Sequence, residues 1–368
     1  MNESPADTRF MALALALGRR GLGRTWPNPA VGAVVVRDGG AGPVIVGRGW
    51  TQGGGRPHAE TEALKRAGEA ARGATVYVTL EPCSHHGKTP PCADAIIAAG
   101  IARVVSAMVD PNPDVAGAGH WRMAERGIVV EVGVGGEEAR CDHAGHIRRV
   151  VDGRPHVALK LAVSADGKAG LAGRRPVAIT GSAVRNRVHL MRATYDAVLT
   201  GIGTALSDDP LLTCRLPGTE ARSPVRIVLD GELRLPSDGR LATTAGSTPL
   251  WVVTGETAPR EREAALRARG VEVLRTADPH DLPVVLRLLA RRGITRLMVE
   301  AGPILSAAFV AADLIDEAVL FHSPNLLGSN AIDALEGQPL GALTQSPRLA
   351  RIGNETAGPD IVEHYVRR

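Results

Sequence analysis

Two stretches decide how the first half of this 368-residue chain is read: Pro57-His58-Ala59-Glu60, and Thr79-Leu80-Glu81-Pro82-Cys83-Ser84-His85-His86-Gly87-Lys88-Thr89-Pro90-Pro91-Cys92. His58 starts a predicted helix, where an imidazole can point out of the first turn. Cys83 follows a predicted strand. Cys92 opens the next helix, a position that favours thiolate because the helix dipole presents its positive end there. No export signal is read in the opening residues, so a reduced chain is expected, and paired cysteines in such a chain suggest a metal before a disulfide.

One histidine and two cysteines leave a fourth position open, which is the catalytic rather than the closed structural arrangement of zinc. Bound zinc would bring the pKa of water from about 15.7 toward ~7. Glu60, two residues from His58, could then move protons between that water and a leaving amine. His-x-Glu with a later Pro-Cys is the pattern of zinc deaminases. His85 and His86 are spare ligand candidates, ranked below the cysteines. Cys141 and Cys214 have no such context and read as ordinary thiols.

Around these motifs the first ~145 residues alternate strand and helix. A helix is expected over about 8–20 with Asp7 as its N-cap. Strands follow at 30–37 and 44–48, then a helix at 58–71, a strand at 75–80, a helix at 91–99, a strand at 103–109, a short helix at 121–126 and a strand at 128–132. A hairpin followed by β-α-β-α-β predicts a mixed sheet with helices on both faces. Charged residues and Gly153-Arg154-Pro155 then place a domain boundary near 148, giving units 1–148 and 149–368. The second half restarts with a strand at 156–163. Further apolar strands alternate with helices at about 182–193, 259–269, 283–292 and 304–312, and 231–248 reads as loop. This predicts a second α/β domain with a largely parallel sheet.

Composition excludes several classes. Hydrophobic residues are 44% and charged residues 22%, which is ordinary globular usage and rules out a disordered chain or a coiled coil. The formal charge of +4 is spread evenly, and aromatics are 3%, so neither a basic footprint nor a base-stacking surface for nucleic acid is indicated. The apolar run Met11–Leu17 is far shorter than a membrane span and lacks a cleavage site, so no membrane and a cytoplasmic location are expected. Only four lysines occur, Lys65, Lys88, Lys160 and Lys168, and three of them fall in motif segments.

The second half lacks a Gly-x-Gly-x-x-Gly after its first strand. Three pieces stand out: the strand carrying Lys160 and running on to Asp166-Gly167-Lys168, the stretch from Gly201 to Arg215, and Val299-Glu300-Ala301-Gly302-Pro303. The last is strand, turn, helix, whose free amides can hold a pyrophosphate. Lys160 inside an apolar strand is costly unless it is paired or faces a cleft.

The string TLEPCSHHGKTPPC, with PNPAVGAVVV upstream and DPNPDVAG downstream, resembles the bifunctional riboflavin-biosynthesis deaminase-reductase family over nearly the whole chain. The resemblance implies a cytidine-deaminase-like three-layer α/β/α domain followed by a dihydrofolate-reductase-like α/β domain. It implies zinc on His58, Cys83 and Cys92 with Glu60 catalytic, and NADPH as the second cofactor. The implied substrate is 2,5-diamino-6-ribosylamino-4(3H)-pyrimidinone 5′-phosphate, a small phosphorylated pyrimidine, and a homo-oligomer is expected.

By motif match, the deaminase substrate would meet Asn28, His85 and Lys88. Asn28 can donate and accept, and Lys88 is a compact cation suited to phosphate. The reductase substrate would meet Lys160, Pro176, Arg192, Leu212, Arg215 and Glu300, with Arg192 and Arg215 as phosphate forks. The nucleotide would touch Ala162, Ala178, Thr180, Thr204, Asp208 and the run Gly302, Pro303, Ile304, Leu305, Ser306, Ala307 and Ala308. Pro176 and Ala178 stand where many members carry Ser and Trp, which puts reductase binding in question. Three alternatives stay open: a nucleic-acid deaminase with an accessory domain, a regulator with structural zinc, and a deaminase with an impaired reductase.

Overall fold

The strand Gly32–Asp38 is buried over its first five residues and lies inside a five-stranded sheet. Its order is Pro43–Trp50, Gly32–Asp38, Thr75–Val78, Arg103–Ser106, Val129–Val132. The first two junctions are antiparallel and the last two parallel, the mixed sheet expected. This computed structural model describes residues 4–85, 90–113, 115–175 and 177–368.

Helices cover both faces. Pro5–Gly18 lies on one; Ala59–Ala67 packs on the other, across Pro43–Trp50. That second contact is unusually close: a Cβ on Gly49 would fall 2.3 Å from the Ala59 carbonyl oxygen, so only glycine permits it. The helix itself needs no special device, with good helix formers and a Glu62–Arg66 pair at 3.1 Å one turn apart.

Two local expectations are corrected. Asp7 is not the N-cap of the first helix; Ser4 holds that position and Pro5 is the first helical residue. Asp7 instead turns inward, accepting from the Tyr77 hydroxyl at 2.7 Å and from two nitrogens of Arg103 at 2.9 and 2.8 Å. The chain beyond 133, where no element was expected, continues the first unit. It forms the helices Gly136–Asp142 and Ala144–Val151. His143 between them is buried, with Nε2 3.1 Å from both the Thr79 carbonyl and the Thr79 hydroxyl, which ties both helices to the end of a strand. The two compact units are accordingly Met1–Gly153 and Arg154–Arg368, so position 148 falls inside a helix.

The second unit holds a nine-stranded sheet ordered Glu272–Thr276, Leu250–Gly255, Val225–Leu229, Ala197–Gly201, Arg296–Val299, His156–Val163, Glu317–His322, Asp360–Arg367, Leu349–Ala357. The first seven strands are parallel and the last two antiparallel. The expected helices form at Ser182–Arg192, Arg260–Arg267, Leu282–Arg291 and Pro303–Ala311. Among the elements not read are the helix Ile202–Asp208, the small sheet of Lys168–Gly170 with Ile332–Asp333, and the closing hairpin 349–367. The 231–248 segment contains only the single turn Arg240–Thr243.

Buried carboxylates stitch this sheet. Asp196 accepts from the Thr295 N–H, the Thr295 hydroxyl and the Arg296 N–H at 2.8, 2.6 and 2.9 Å. Asp316, with a side chain 2% exposed, takes two nitrogens of Arg154 at 2.5 and 2.8 Å and the Val157 N–H at 3.0 Å. Burial pushes the Asp316 carboxyl up, but the Arg154 hydrogen bonds, the nearby His156 and the Val157 N–H hold it below its ordinary value. A carboxylate depressed in the fold adds stability that is complete above about pH 4 and lost as pH falls through the folded value. Asp316→Asn should therefore destabilise the protein by about 3 kcal/mol at pH 7 and flatten the acid side of its stability–pH profile. Denaturant melts between pH 3 and 7 test this, and an unchanged acid limb would assign that limb to other carboxylates.

Candidate active sites

In the first unit, three sequence-distant residues converge. His58 is the N-cap residue of Ala59–Ala67, Cys83 lies past Thr75–Val78, and Cys92 is the first residue of Cys92–Ala98. Their ligand atoms all lie within 4.8 Å of one another. His58 Nδ1 is 3.3 Å from Cys92 Sγ and 3.8 Å from Cys83 Sγ. Tetrahedral zinc with Zn–N near 2.05 Å and Zn–S near 2.3 Å requires about 3.6 Å between such atoms, so the observed pair of distances brackets the requirement. The donor set, one nitrogen and two sulfurs, also suits zinc.

Electrostatics favour a cation here. Cys83 is drawn down to about 4 by hydrogen bonds from the Cys92 thiol, His58 and the Cys92 N–H, against the effect of burial. That N–H donates to Cys83 Sγ at 3.3 Å from the start of a helix. Cys92 is pushed up by the neighbouring Cys83 sulfur and by burial. His58 is raised chiefly by its bond to Cys83. Glu60 is 3% exposed, and burial drives its carboxyl up to about 7 against the pull of His58. Its Oε2 is buried with no hydrogen-bond partner among the described residues, a vacancy that a bound group would fill.

Asn28 joins the site. Its Nδ2 donates to the Gly55 carbonyl at 2.8 Å and lies 3.4 Å from His58 Nε2. His85 is exposed at the end of the described loop. Lys88 lies outside the described residues.

Sequence reading passed over Glu81, although it stands inside the quoted motif. Its carboxylate is buried and accepts four backbone N–H groups: Gly119 and His120 at 2.8 and 3.3 Å on Oε1, Asp110 and Gly117 at 3.1 and 2.9 Å on Oε2. The 110–120 loop is thus wrapped around the residue that precedes Pro82-Cys83. An acidic residue at the end of an apolar strand was the available signal. Glu81→Gln keeps the shape but turns an NH2 group toward donors, each orphaned N–H costing ~1–3 kcal/mol. The variant should melt several degrees lower and bind less zinc per chain, read by calorimetry and metal analysis; parent-like values in both would remove Glu81 from the metal loop's support.

In the second unit, Lys160 and Ala162 share the half-buried face of His156–Val163, whose alternate residues are buried. Lys160 Nζ lies 5.9 Å from the centroid of the Phe321 ring. Burial lowers the Lys160 amine, with Glu300 opposing and Arg192 adding to the shift. Arg192 does not present an open phosphate fork as expected. It grips Glu300 with two nitrogens at 2.6 and 2.8 Å, and a third donates to the Thr213 carbonyl at 3.0 Å. Glu300 stays ionised below its ordinary value: burial raises it, but the Arg192 charge and hydrogen bonds and Lys160 outweigh that.

Arg215 is exposed, and its recorded bond is to the Thr213 hydroxyl at 3.4 Å. Leu212 carries its side chain in the core, so only its backbone can meet a ligand; its φ of 52° is left-handed. His189, missed by sequence reasoning, lies three residues before Arg192 on the same helix, and its Nδ1 is 3.0 Å from the Thr213 carbonyl. Burial, then the charges of Arg192 and Arg215, lower His189.

The nucleotide candidates divide. A Cβ on Gly302 would fall 3.0 Å from Thr204 Oγ1, so glycine lets the first turns of the helices Ile202–Asp208 and Pro303–Ala311 approach. The helix Pro303–Ala311 has no side-chain cap at Gly302, and Ile304 is 60% exposed. Ser306 and Ala307, however, turn into the core; Ser306 Oγ donates to the Ala301 carbonyl at 3.2 Å. Asp208 and Ala178 are exposed and Thr180 half-buried, while Pro176 lies outside the described residues.

Residues 155–362 match the family model described as the RibD C-terminal domain, and residues 4–108 match the cytidine and deoxycytidylate deaminase zinc-binding region. The riboflavin biosynthesis protein RibD of Escherichia coli is 41% identical, with 98% of this chain and 99% of that protein covered. The protein of the same name from Aquifex aeolicus is 40% identical, with 98% of each covered. Among solved structures, RibD of Acinetobacter baumannii superposes with a TM-score of 0.87 at 36% identity, covering 98% of this chain and 99% of the other.

Proposed function

The chain belongs to the RibD family, and from that premise we propose a division of labour between its two units. It is a deaminase and reductase of riboflavin biosynthesis, with a zinc-binding deaminase domain and an NADPH-dependent reductase domain acting on a small molecule. In our reading the first unit deaminates 2,5-diamino-6-ribosylamino-4(3H)-pyrimidinone 5′-phosphate, and the second reduces the ribosyl group of the product to ribityl. The observation that carries the deaminase half is the three-ligand cluster beside a buried carboxyl whose Oε2 has no partner among the described residues.

His58, Cys83 and Cys92 would hold the zinc. When bound, it makes a hydroxide nucleophile available from water at neutral pH. Glu60 would take a proton at Oε2 and return it to the departing amine. Asn28 would meet the pyrimidinone edge, while His85 and Lys88 would meet the substrate from the loop. In the second unit NADPH, when bound, would supply the hydride. Gly302–Leu305 and Ala308, with Ala162, Ala178, Thr180, Thr204 and Asp208, would line its path. Lys160, Glu300 and Arg215 would orient the ribosyl phosphate. Among the described residues no helix is long and apolar enough to cross a membrane. We also assign the chain to the cytoplasm, on its four free cysteines. We assign it a homo-oligomeric state as well, since the outer strand Leu349–Ala357 exposes Ile352 beside an open edge.

Glu60→Gln should cut ammonia release by roughly 10²–10⁴-fold while NADPH oxidation on the deaminated substrate persists. Loss of both in a folded, zinc-loaded protein would overturn the division of labour. One observation favours a second reading, an impaired reductase: Ala178 offers only a methyl group where a flat ring contact was expected. Titration with NADPH decides between them, since absence of binding would leave only the deaminase.

A further inference from the structure

Arg226 heads the fully buried side chains of the described residues, and none of those residues pairs it with a carboxylate. Such a charge is tolerated only where hydrogen bonds replace its water. Here they come from the Leu211 carbonyl at 3.3 Å, the Thr244 hydroxyl at 2.7 Å and the Thr248 carbonyl at 2.5 Å. Two residues beyond Leu211, the Thr213 carbonyl is held by His189 and Arg192 together. A carbonyl can only accept, so His189 Nδ1 carries the proton. Between the two clamped carbonyls sits Leu212, left-handed although it is not glycine, a conformation that persists only when its surroundings impose it. Arg215 follows with most of its guanidinium uncommitted.

We propose that Arg226 and His189 are positioning residues of the reductase: by clamping the carbonyls on either side of Leu212 they set the loop that aims Arg215 at the substrate's phosphate. Neither residue need touch the substrate. The inference rests on the reading of Arg215 as a phosphate contact, so that reading needs its own control.

The experiment uses the full-length, zinc-loaded protein and the deaminated substrate with and without its 5′-phosphate. His189→Ala and Arg226→Met should each raise the reductase KM for the phosphorylated substrate about tenfold, with kcat, NADPH affinity and deaminase rate within about twofold of the parent. His189→Asn, whose amide can donate from nearly the Nδ1 position, should recover most of the loss. With the substrate lacking phosphate, parent and variants should converge. Arg215→Gln should show the same pattern. If it leaves KM unchanged, the phosphate reading fails and the inference with it. If Arg215→Gln raises KM but His189→Ala and Arg226→Met do not, the inference alone fails. It also fails if His189→Asn is no better than alanine, or if KM rises equally for both substrates. Should Arg226→Met not fold, the His189 pair still decides.

Discussion

A buried ionised group must be hydrogen-bonded, and that requirement organises both units of this protein. Glu81, Asp196, Asp316 and Arg226 are all buried, and each exchanges hydrogen bonds with main-chain groups of a neighbouring segment, although Arg226 Nε has no partner among the described residues. An unsatisfied partner at any of these places would cost as much as several ordinary hydrogen bonds contribute. The charges therefore act as staples on loops at the ends of strands. The chemistry hangs from the stapled segments: Cys83 two residues past Glu81, Arg215 four residues past Leu211. Rigidity at the reacting groups thus comes from main chain gathered around charge.

The two sites use opposite electrostatics for related ends. In the deaminase unit, the Cys92 thiol and the His58 imidazole draw the Cys83 sulfur toward thiolate, an arrangement that suits a cation. In the reductase unit a single buried carboxylate, Glu300, serves two cations, Arg192 by contact and Lys160 by proximity. With Arg215 nearby, the cluster is left net positive, which suits an anionic substrate. The chain's even overall charge is consistent with this, because the useful excess is local.

The ligand trio was legible because the residue types are rare and each falls where a predicted strand ends or a predicted helix begins. Most elements of the parallel sheet were legible for a similar reason, as apolar runs between helical patterns. What escaped was decided by partners distant in sequence. Asp7 has the right local context for a cap, but Tyr77 and Arg103 take its carboxylate. The segment after 133 is polar enough for a linker, yet His143 docks it to Thr79. Arg192 and Glu300 lie 108 residues apart, so nothing local showed that one would occupy the other. Gly201 and Gly203 disguised the helix Ile202–Asp208 as a loop. A leucine gives no hint of a left-handed backbone, so Leu212 could be found only in three dimensions.

The half-buried setting of Lys160 bears on how this sequence can drift. The chain uses arginine almost everywhere in place of lysine, with four lysines against 39 arginines. At most surface sites that exchange is neutral. At Lys160 an amine can lose its proton to relieve burial and the repulsion of Arg192, whereas a guanidinium cannot. The larger head group would also have to share the space above Phe321. An arginine at this position would keep its full charge against burial and the neighbouring Arg192, so the two basic residue types are not interchangeable here even in a chain that uses lysine only four times.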